Sequence, residues 1–448
     1  MRVLMLGWEF PPHISGGLGT ACYGMTSGLS ELGVEVCFVL PTAVPASATS
    51  HVALRSPTDV RRKRERFESE EIEHVEFRRV EAALQAYADP EVYAEQVRRR
   101  RQRRKRIEGA DEPQEQPMEQ QPQLGGEQAR SFVRGGGGVH YDGDLMAQVN
   151  RYARLALEVS EEEQFDVVHA HDWMTYPAGL AVAAARGKPL VVHVHSTEFD
   201  RSGENINQQV YDVERTGMHG ASKVVCVSQL TKSIVTTRYG VDPDRCEVVH
   251  NAVELPARSD MNMKPIRRDE KIVLFLGRIT MQKGPEYFLQ AAKKVIERYP
   301  KVRFVMAGSG DMMPRMIELA ANLKIGGHVT FTGFLRGDDV DRVFRMADLY
   351  VMPSVSEPFG IAPLEALSRN VPVIISKQSG VSEVLTHALK VDFWDIDEMA
   401  NKILGVLRHQ PLQSALRQYG QIEVRRMTWR DSAAKLKQIY EELTAPAA

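Results

Sequence analysis

The stretch SVSEPFGIAPLEAL at 354–367 places two carboxylates, Glu357 and Glu365, on either side of a Pro-Phe-Gly step. A carboxylate accepts two hydrogen bonds at once, so Glu365 suits a pair of vicinal hydroxyls, as on ribose, while Glu357 would face a transferring group. The apolar run DLYVMP that precedes them reads as a strand, which puts Glu357 in a Pro-constrained loop at the strand's carboxyl end. Gly360 and Ile361 then begin a helix whose first amides can hold phosphate, with Glu365 a turn or more inside it. Roughly eighty residues upstream, FLGRITMQKG carries Arg278 and Lys283 in the connection that leaves another strand. Ligands bind at the carboxyl ends of parallel strands, and two cations so spaced can bracket a diphosphate.

A third loop, GWEFPPHISGGLGTA, sets Gly16, Gly17 and Gly19 just before a helix that starts near Thr20. Glycines permit close backbone approach, and the amides at a helix start attract anions. The pattern is neither G-x-G-x-x-G nor Walker A. Histidines alternate along two strands, His169 with His171 and His193 with His195, so each pair shares a face. Two H-x-H pairs raise a zinc site, but no carboxylate or cysteine cluster accompanies them. His195, at a strand's carboxyl end and followed by STEFDR, is the better candidate for a substrate contact; His169 and His193 also fit a buried core. The D-x-D pairs Asp142 with Asp144 and Asp395 with Asp397 lack further ligands and read as loop chemistry. No metal is expected.

The elements that must position these residues alternate. Short β-branched runs at 2–7, 34–40, 165–171, 189–195, 222–228 and 246–251 are separated by stretches of helical period. A second series at 271–277, 302–308, 328–333, 348–353, 372–376 and 388–392 follows a polar, Pro-containing linker. The pattern predicts two α/β domains, 1–255 and 270–430, and 431–448 as a closing helix with the stripe Leu436, Ile439, Tyr440 and Leu443. From about 60 to 138 the chain is Arg-rich, then Gln-, Glu- and Pro-rich, then GGGG, too polar for a core; it is expected to form a mobile insertion.

A chain of 448 residues has room for two such cores, and a formal net charge of -2 argues against nucleic acid as a partner. The four cysteines, Cys22, Cys37, Cys226 and Cys246, show no C-x-x-C spacing, and no long uncharged apolar run occurs, so a cytoplasmic protein without a transmembrane segment is expected.

In order, GGLG, HAHDW, HVHSTEFDR, GRITMQKG, AGSGD, FTGF and SEPFGIAPLEAL resemble a retaining nucleotide-sugar glycosyltransferase of the GT-B type, glycosyltransferase group 1 of family four. The chain is similar to the large family of sucrose and mannosyl transferases and to bacterial and archaeal glycogen synthases. The resemblance implies an α/β GT-B fold, two Rossmann-like domains with parallel sheets facing across a cleft, the first on the acceptor side. It implies that Arg278 and Lys283 stabilise the departing nucleotide diphosphate, that Glu357 contacts the transferred sugar and that Glu365 holds the ribose. It also implies phosphate contacts from Gly16 and Gly17 and from Phe359, Gly360 and Ile361, a base bordered by Thr332, Gly333 and Phe334, and His195 near the sugar's 6-hydroxyl. No cofactor or metal is implied, because cationic side chains replace it; the partners are an ADP-, UDP- or GDP-sugar and a saccharide acceptor.

One departure matters. Glycogen synthases resemble K-x-G-G-L in the first loop, where this chain has Ile14, Ser15, Gly16, Gly17 and Leu18. The expected function is therefore hexose transfer, with glucose as the expected sugar and α-glucan synthesis as a subclass. The alternatives are a GT-B nucleotide-sugar epimerase and a non-catalytic sugar or nucleotide binder.

Overall fold

The computed structural model describes residues 1–10, 17–41, 64–65, 75–80, 143–255 and 269–445. The first sheet comprises β1 (Arg2–Leu6), β2 (Glu35–Pro41), β3 (Arg64–Glu65), β4 (Val75–Val80), β5 (Val167–His171), β6 (Leu190–Val194), β7 (Lys223–Cys226) and β8 (Cys246–Val248). Its order is β3-β4-β2-β1-β5-β6-β7-β8, parallel except where the two-residue β3 runs antiparallel to β4. The second sheet comprises β9 (Lys271–Leu276), β10 (Val302–Ala307), β11 (Val329–Gly333), β12 (Leu349–Met352), β13 (Val373–Ser376) and β14 (Leu389–Val391), in the order β11-β10-β9-β12-β13-β14. Each predicted strand run is a strand. Helices cover both faces, which is why β5 and β6 are buried along their whole length.

Counted within its own half, the second sheet runs 3-2-1-4-5-6, the dinucleotide-binding order. The sequence reverses direction across the sheet between β9 and β12, and the first sheet reverses likewise between β1 and β5. At such a reversal the connections leave on opposite sides, and a crevice opens at the carboxyl ends of the two strands.

β4 lies inside the segment from about 60 that the polar composition set apart, and it pairs with β2 from Val36↔Val75 to Pro41↔Val80. This six-residue strand extends the sheet through its backbone pairing with β2. Residues 81–142, which hold the Arg-rich run, the Gln-rich run and the GGGG, lie outside the described residues.

The closing helix Trp429–Thr444 returns to the first domain and packs on the helix Gly17–Glu31. Leu436, Ile439 and Tyr440 are buried and Leu443 is partly so, the stripe the sequence predicts. Glycine makes this approach possible: a Cβ at Gly24 would fall 2.1 Å from the Trp429 ring, and one at Gly28 would fall 2.6 Å from the Trp429 carbonyl oxygen. Polar ends fix the register, with Ser432 Oγ donating to the His250 carbonyl at 2.7 Å and Lys437 Nζ to that of Leu32 at 3.1 Å. The Tyr440 hydroxyl bonds to His169 Nδ1 on β5.

The domains also meet directly. The Gln229 and Leu230 amides, at the start of the helix Gln229–Arg238, donate to the Glu383 carboxylate at 2.8 and 2.7 Å. An acid is favoured there because the helix dipole is positive at that end. Ser228 Oγ donates to the Pro358 carbonyl at 2.5 Å, and a Cβ on Gly380 would lie 2.2 Å from that same oxygen.

Trp429 seats the closing helix on the first domain through one buried ring. Trp429→Ala should destabilise the protein by about 3 kcal/mol or more, the usual cost of emptying a large aromatic site. Denaturant titration measures this, and a loss below about 1 kcal/mol would show that the helix is held by its polar ends alone.

Candidate active site

The site is organised at the reversal between β9 and β12. After β9 the chain makes a turn at Met281–Lys283 that ends on Gly284, whose φ is 63°. A side chain there would be strained and would also collide, since a Cβ would sit 2.1 Å from the Pro353 carbonyl oxygen at the end of β12. The two loops are thereby pressed together, and Val355 N donates to Gln282 O at 2.9 Å across the seam. As a result Lys283 Nζ reaches Glu357 Oε2 at 2.5 Å. The same oxygen accepts from Ser354 Oγ at 3.1 Å. Arg278 lies over this turn, with Nη2 3.5 Å from Gln282 Oε1.

Glu357 is buried and held by its own backbone as well, its amide donating to Gln378 O and its carbonyl accepting from Gly380 N. Beyond it the chain takes φ 99° at Gly360, and Ile361 caps the helix Ala362–Ser368. Glu365 therefore sits in the first turn of that helix, not a turn or more inside it as the sequence suggested; the left-handed glycine delays the helix start by two residues. Burial pushes the Glu365 carboxyl up, opposed by Arg369. Both acids lie near Tyr350, whose phenol is driven well up by burial and then by the charges of Glu357 and Glu365. The Phe359 side chain is buried, so Phe359, Gly360 and Ile361 can offer a ligand their backbone. Thr332 and Gly333 end β11, two strand spacings or about 10 Å from β9, and Phe334 follows them. Phe334 is exposed there, with Arg336 over its ring.

The first domain contributes its own reversal. His195 follows β6; its amide donates to Asp172 Oδ1 at 2.8 Å, and its ring Nε2 lies 2.9 Å from His171 Nδ1. The helix after it, Glu198–Ser202, packs against the turn that carries Lys283, and Ser356 Oγ donates to Asp200 Oδ1 at 2.5 Å. The STEFDR and SVSEPFG loops thus meet across the cleft. Arg201 of that loop is buried in ion pairs with Glu198 and Glu214, at 3.1 and 2.5 Å, and supports the loop from within.

Two acids escaped the sequence reading. Asp172, just past β5, is buried at φ 58°, a strained setting for a residue other than glycine and one that clusters at functional sites. Its Oδ1 fixes the His195 and Ser196 amides. Burial pushes its carboxyl up to about 7, against the pull of Arg201 and the His195 amide. Its signal in the sequence was position alone, one residue beyond the strand end in HAHDW. The second acid is Glu9, whose Oε2 accepts from Gly19 N at 3.2 Å. A carboxylate thus already occupies the start of the helix Gly17–Glu31, a place expected to receive phosphate; Gly17 is exposed at its first position, and Gly16 lies outside the described residues.

The histidines His169, His171 and His193 are fully buried, and their ring nitrogens come within 4.8 Å of one another. The rings stack face to face, His169 on His171 at 4.4 Å, so their in-plane lone pairs do not converge on one point as metal ligation requires. Asp395 caps its helix through Glu398 N and Asp397 pairs with Lys294, which accounts for that D-x-D. Among the described residues, no helix is long and apolar enough to cross a membrane.

Residues 257–423 match the family model of glycosyl transferases group 1, residues 110–256 that of glycosyltransferase family 4, and residues 2–108 that of the starch synthase catalytic domain. An uncharacterized glycosyltransferase of Methanocaldococcus jannaschii is 34% identical over 239 residues, which are 50% of this chain and 61% of that protein. A glycogen synthase of Mycobacterium tuberculosis is 24% identical over 392 residues, 86% of this chain and 80% of its own. Among solved structures, Anabaena HepE in complex with UDP and glucose superposes with a TM-score of 0.66 at 17% identity, covering 99% of this chain and 100% of that one.

The raised pKa of Asp172 sets a pH dependence. The native state holds this proton more tightly than the free side chain, so the stability it contributes is full below 3.8 and lost as pH rises through about 7. Asp172→Asn keeps the accepting oxygen without the ionisation. Thermal melts at about pH 5 and about pH 8 should show the variant gaining on the native protein at the higher pH; a constant difference would mean that Asp172 is ionised throughout.

Proposed function

We propose, from the premise that this chain belongs to the glycosyltransferases and has their two-domain GT-B fold, that it transfers a hexose from a nucleotide-diphosphate sugar to a saccharide acceptor with retention at the anomeric carbon. The observation that carries this reading is the Lys283–Glu357 pair beside Arg278 at the β9/β12 reversal. Arg278 and Lys283 offer positive charge where a diphosphate leaves, and electrostatic stabilisation of a leaving group is worth most in a site that excludes water. The contacts of Glu357 fall on Oε2, which leaves Oε1 for a sugar hydroxyl.

The acceptor hydroxyl attacks on the face from which the diphosphate departs, and the diphosphate takes the hydroxyl proton. Lys283 then shifts from Glu357 towards the phosphate as negative charge builds there. Glu365, in the first turn of the helix, accepts from the two ribose hydroxyls. The Phe359, Gly360 and Ile361 amides complete the phosphate contacts. His195 binds the sugar. The Ser356–Asp200 and Ser228–Pro358 contacts hold the domains together, and a closed cleft keeps out water that would hydrolyse the donor. The chemistry proposed needs no metal.

Glucose is the proposed sugar and an α-glucan the proposed acceptor, supported by the match over most of both chains to a glycogen synthase. The test is nucleotide release from ADP-, UDP- and GDP-sugars with and without glycogen. Release that rises with glycogen supports a glucan synthase; release indifferent to glycogen removes that acceptor, and no release from any donor removes the transferase.

Two variants assign the parts. Arg278→Ala should lower turnover by about a hundredfold, as expected for losing a charge that acts on the leaving group. Glu365→Gln should raise the donor KM by about tenfold with kcat within about threefold, because a ribose contact is made equally in ground and transition states. A fall in kcat alone would move Glu365 into the chemistry.

A further inference from the structure

Four imidazoles form a ladder inside the first domain. β5 and β6 are parallel neighbours with His171 opposite His193, so His169, His171, His193 and His195 project from one face. Their rings stack, His169 on His171 at 4.4 Å and His193 on His195 at 4.2 Å. Tyr440 of the closing helix holds one end through His169, and His195 forms the half-buried end at the cleft. Burial, and for three of the four the other rings as well, holds these groups well below the usual histidine range, so they stay neutral at neutral pH.

A neutral imidazole has one N–H, so in the contact between His171 Nδ1 and His195 Nε2 only one ring donates. Were His195 the donor, His171 would carry its own proton on Nε2, which is buried with no hydrogen-bond partner. His193, with both ring nitrogens buried and unpartnered, already carries one orphaned N–H, and a second at His171 would add its own desolvation penalty. The opposite arrangement leaves only a bare lone pair at that position.

We infer that His171 is a positioning residue: its Nδ1–H donates to His195 Nε2 and fixes His195 as the Nδ1–H tautomer. His195 therefore meets its substrate as a hydrogen-bond donor towards a sugar oxygen, and it does not act as a general base through Nε2. The tautomer rests on the His171–His195 contact and the unpartnered His171 Nε2; its use on a sugar rests on the function proposed above.

Long-range proton–nitrogen spectra of the full chain labelled with 15N-histidine read the tautomer directly, with His195→Gln identifying the signal. The native protein should show His195 protonated on Nδ1. In His171→Leu the signal should move to the Nε2–H form or to a mixture. His171→Asn, whose amide nitrogen takes the place of Nδ1, should restore the native tautomer. In the transfer assay His171→Leu should lower kcat about tenfold with the donor KM within about threefold, and His171→Asn should recover most of the loss. An Nε2–H His195 in the native protein overturns the inference, as does a His171→Leu variant that folds and keeps both tautomer and kcat. If His171→Leu fails to fold, the native spectrum decides. A chain without transferase activity but with the Nδ1–H signal would sink the proposed function and leave this inference standing.

Discussion

The contact on which the site depends is the approach of Gly284 to the carbonyl of Pro353. No other residue type fits there, because a Cβ would overlap that oxygen and because φ is in the left-handed region. Once that approach is made, two loops leaving neighbouring strands on opposite sides of the reversal are held in one plane of contact, and a lysine from one meets a glutamate from the other. The pair is mostly shielded from solvent, with side-chain exposures of 20% for Lys283 and 8% for Glu357. Removing either partner would leave a buried charge unpaired, which costs far more than an exposed ion pair contributes. The arrangement stores charge where water is scarce, the condition on which the proposed leaving-group chemistry relies.

The first domain is organised by carboxylates at backbone amides. Asp172 gathers the amides of His195 and Ser196, Glu9 takes that of Gly19, and across the domains Glu383 takes those of Gln229 and Leu230. Burial opposes ionisation of Glu383, but its bonds to His250 and to the two amides prevail and hold its carboxyl below the usual range. The same physics gives a different result at Asp172, where burial prevails. The closing helix completes the link. Its Trp429 fills the space left by Gly24 and Gly28, and its Tyr440 reaches His169, so one element touches both the helix that begins at the glycine loop and the strand that leads to Asp172.

The alternation of β-branched runs with helical periods made the strands legible in the sequence, because a parallel sheet buried on both faces requires apolar strands of that kind. The closing helix was legible for a similar reason, its stripe needing a surface to cover it. Arg278, Lys283 and Glu357 could be placed because each follows such a run at its carboxyl end. β4 was hidden by composition: a charged neighbourhood masks a six-residue strand whose pairing comes from β2, a partner more than thirty residues away. Glu365 was placed too deep in its helix because a left-handed Gly360 is indistinguishable in sequence from a helical start.

The sequence by itself determined which residues lie at strand ends, since period and residue type are local properties. Only the tertiary structure decided which strand ends are neighbours. Lys283 and Glu357 are 74 residues apart in the chain and 2.5 Å apart in space, and that contact follows from strand order. It likewise decided that Asp172 is strained and buried, that Arg201 is spent on Glu198 and Glu214, and that His171 hydrogen-bonds to His195. Partners of this kind are chosen by packing between distant segments, and no local pattern records them.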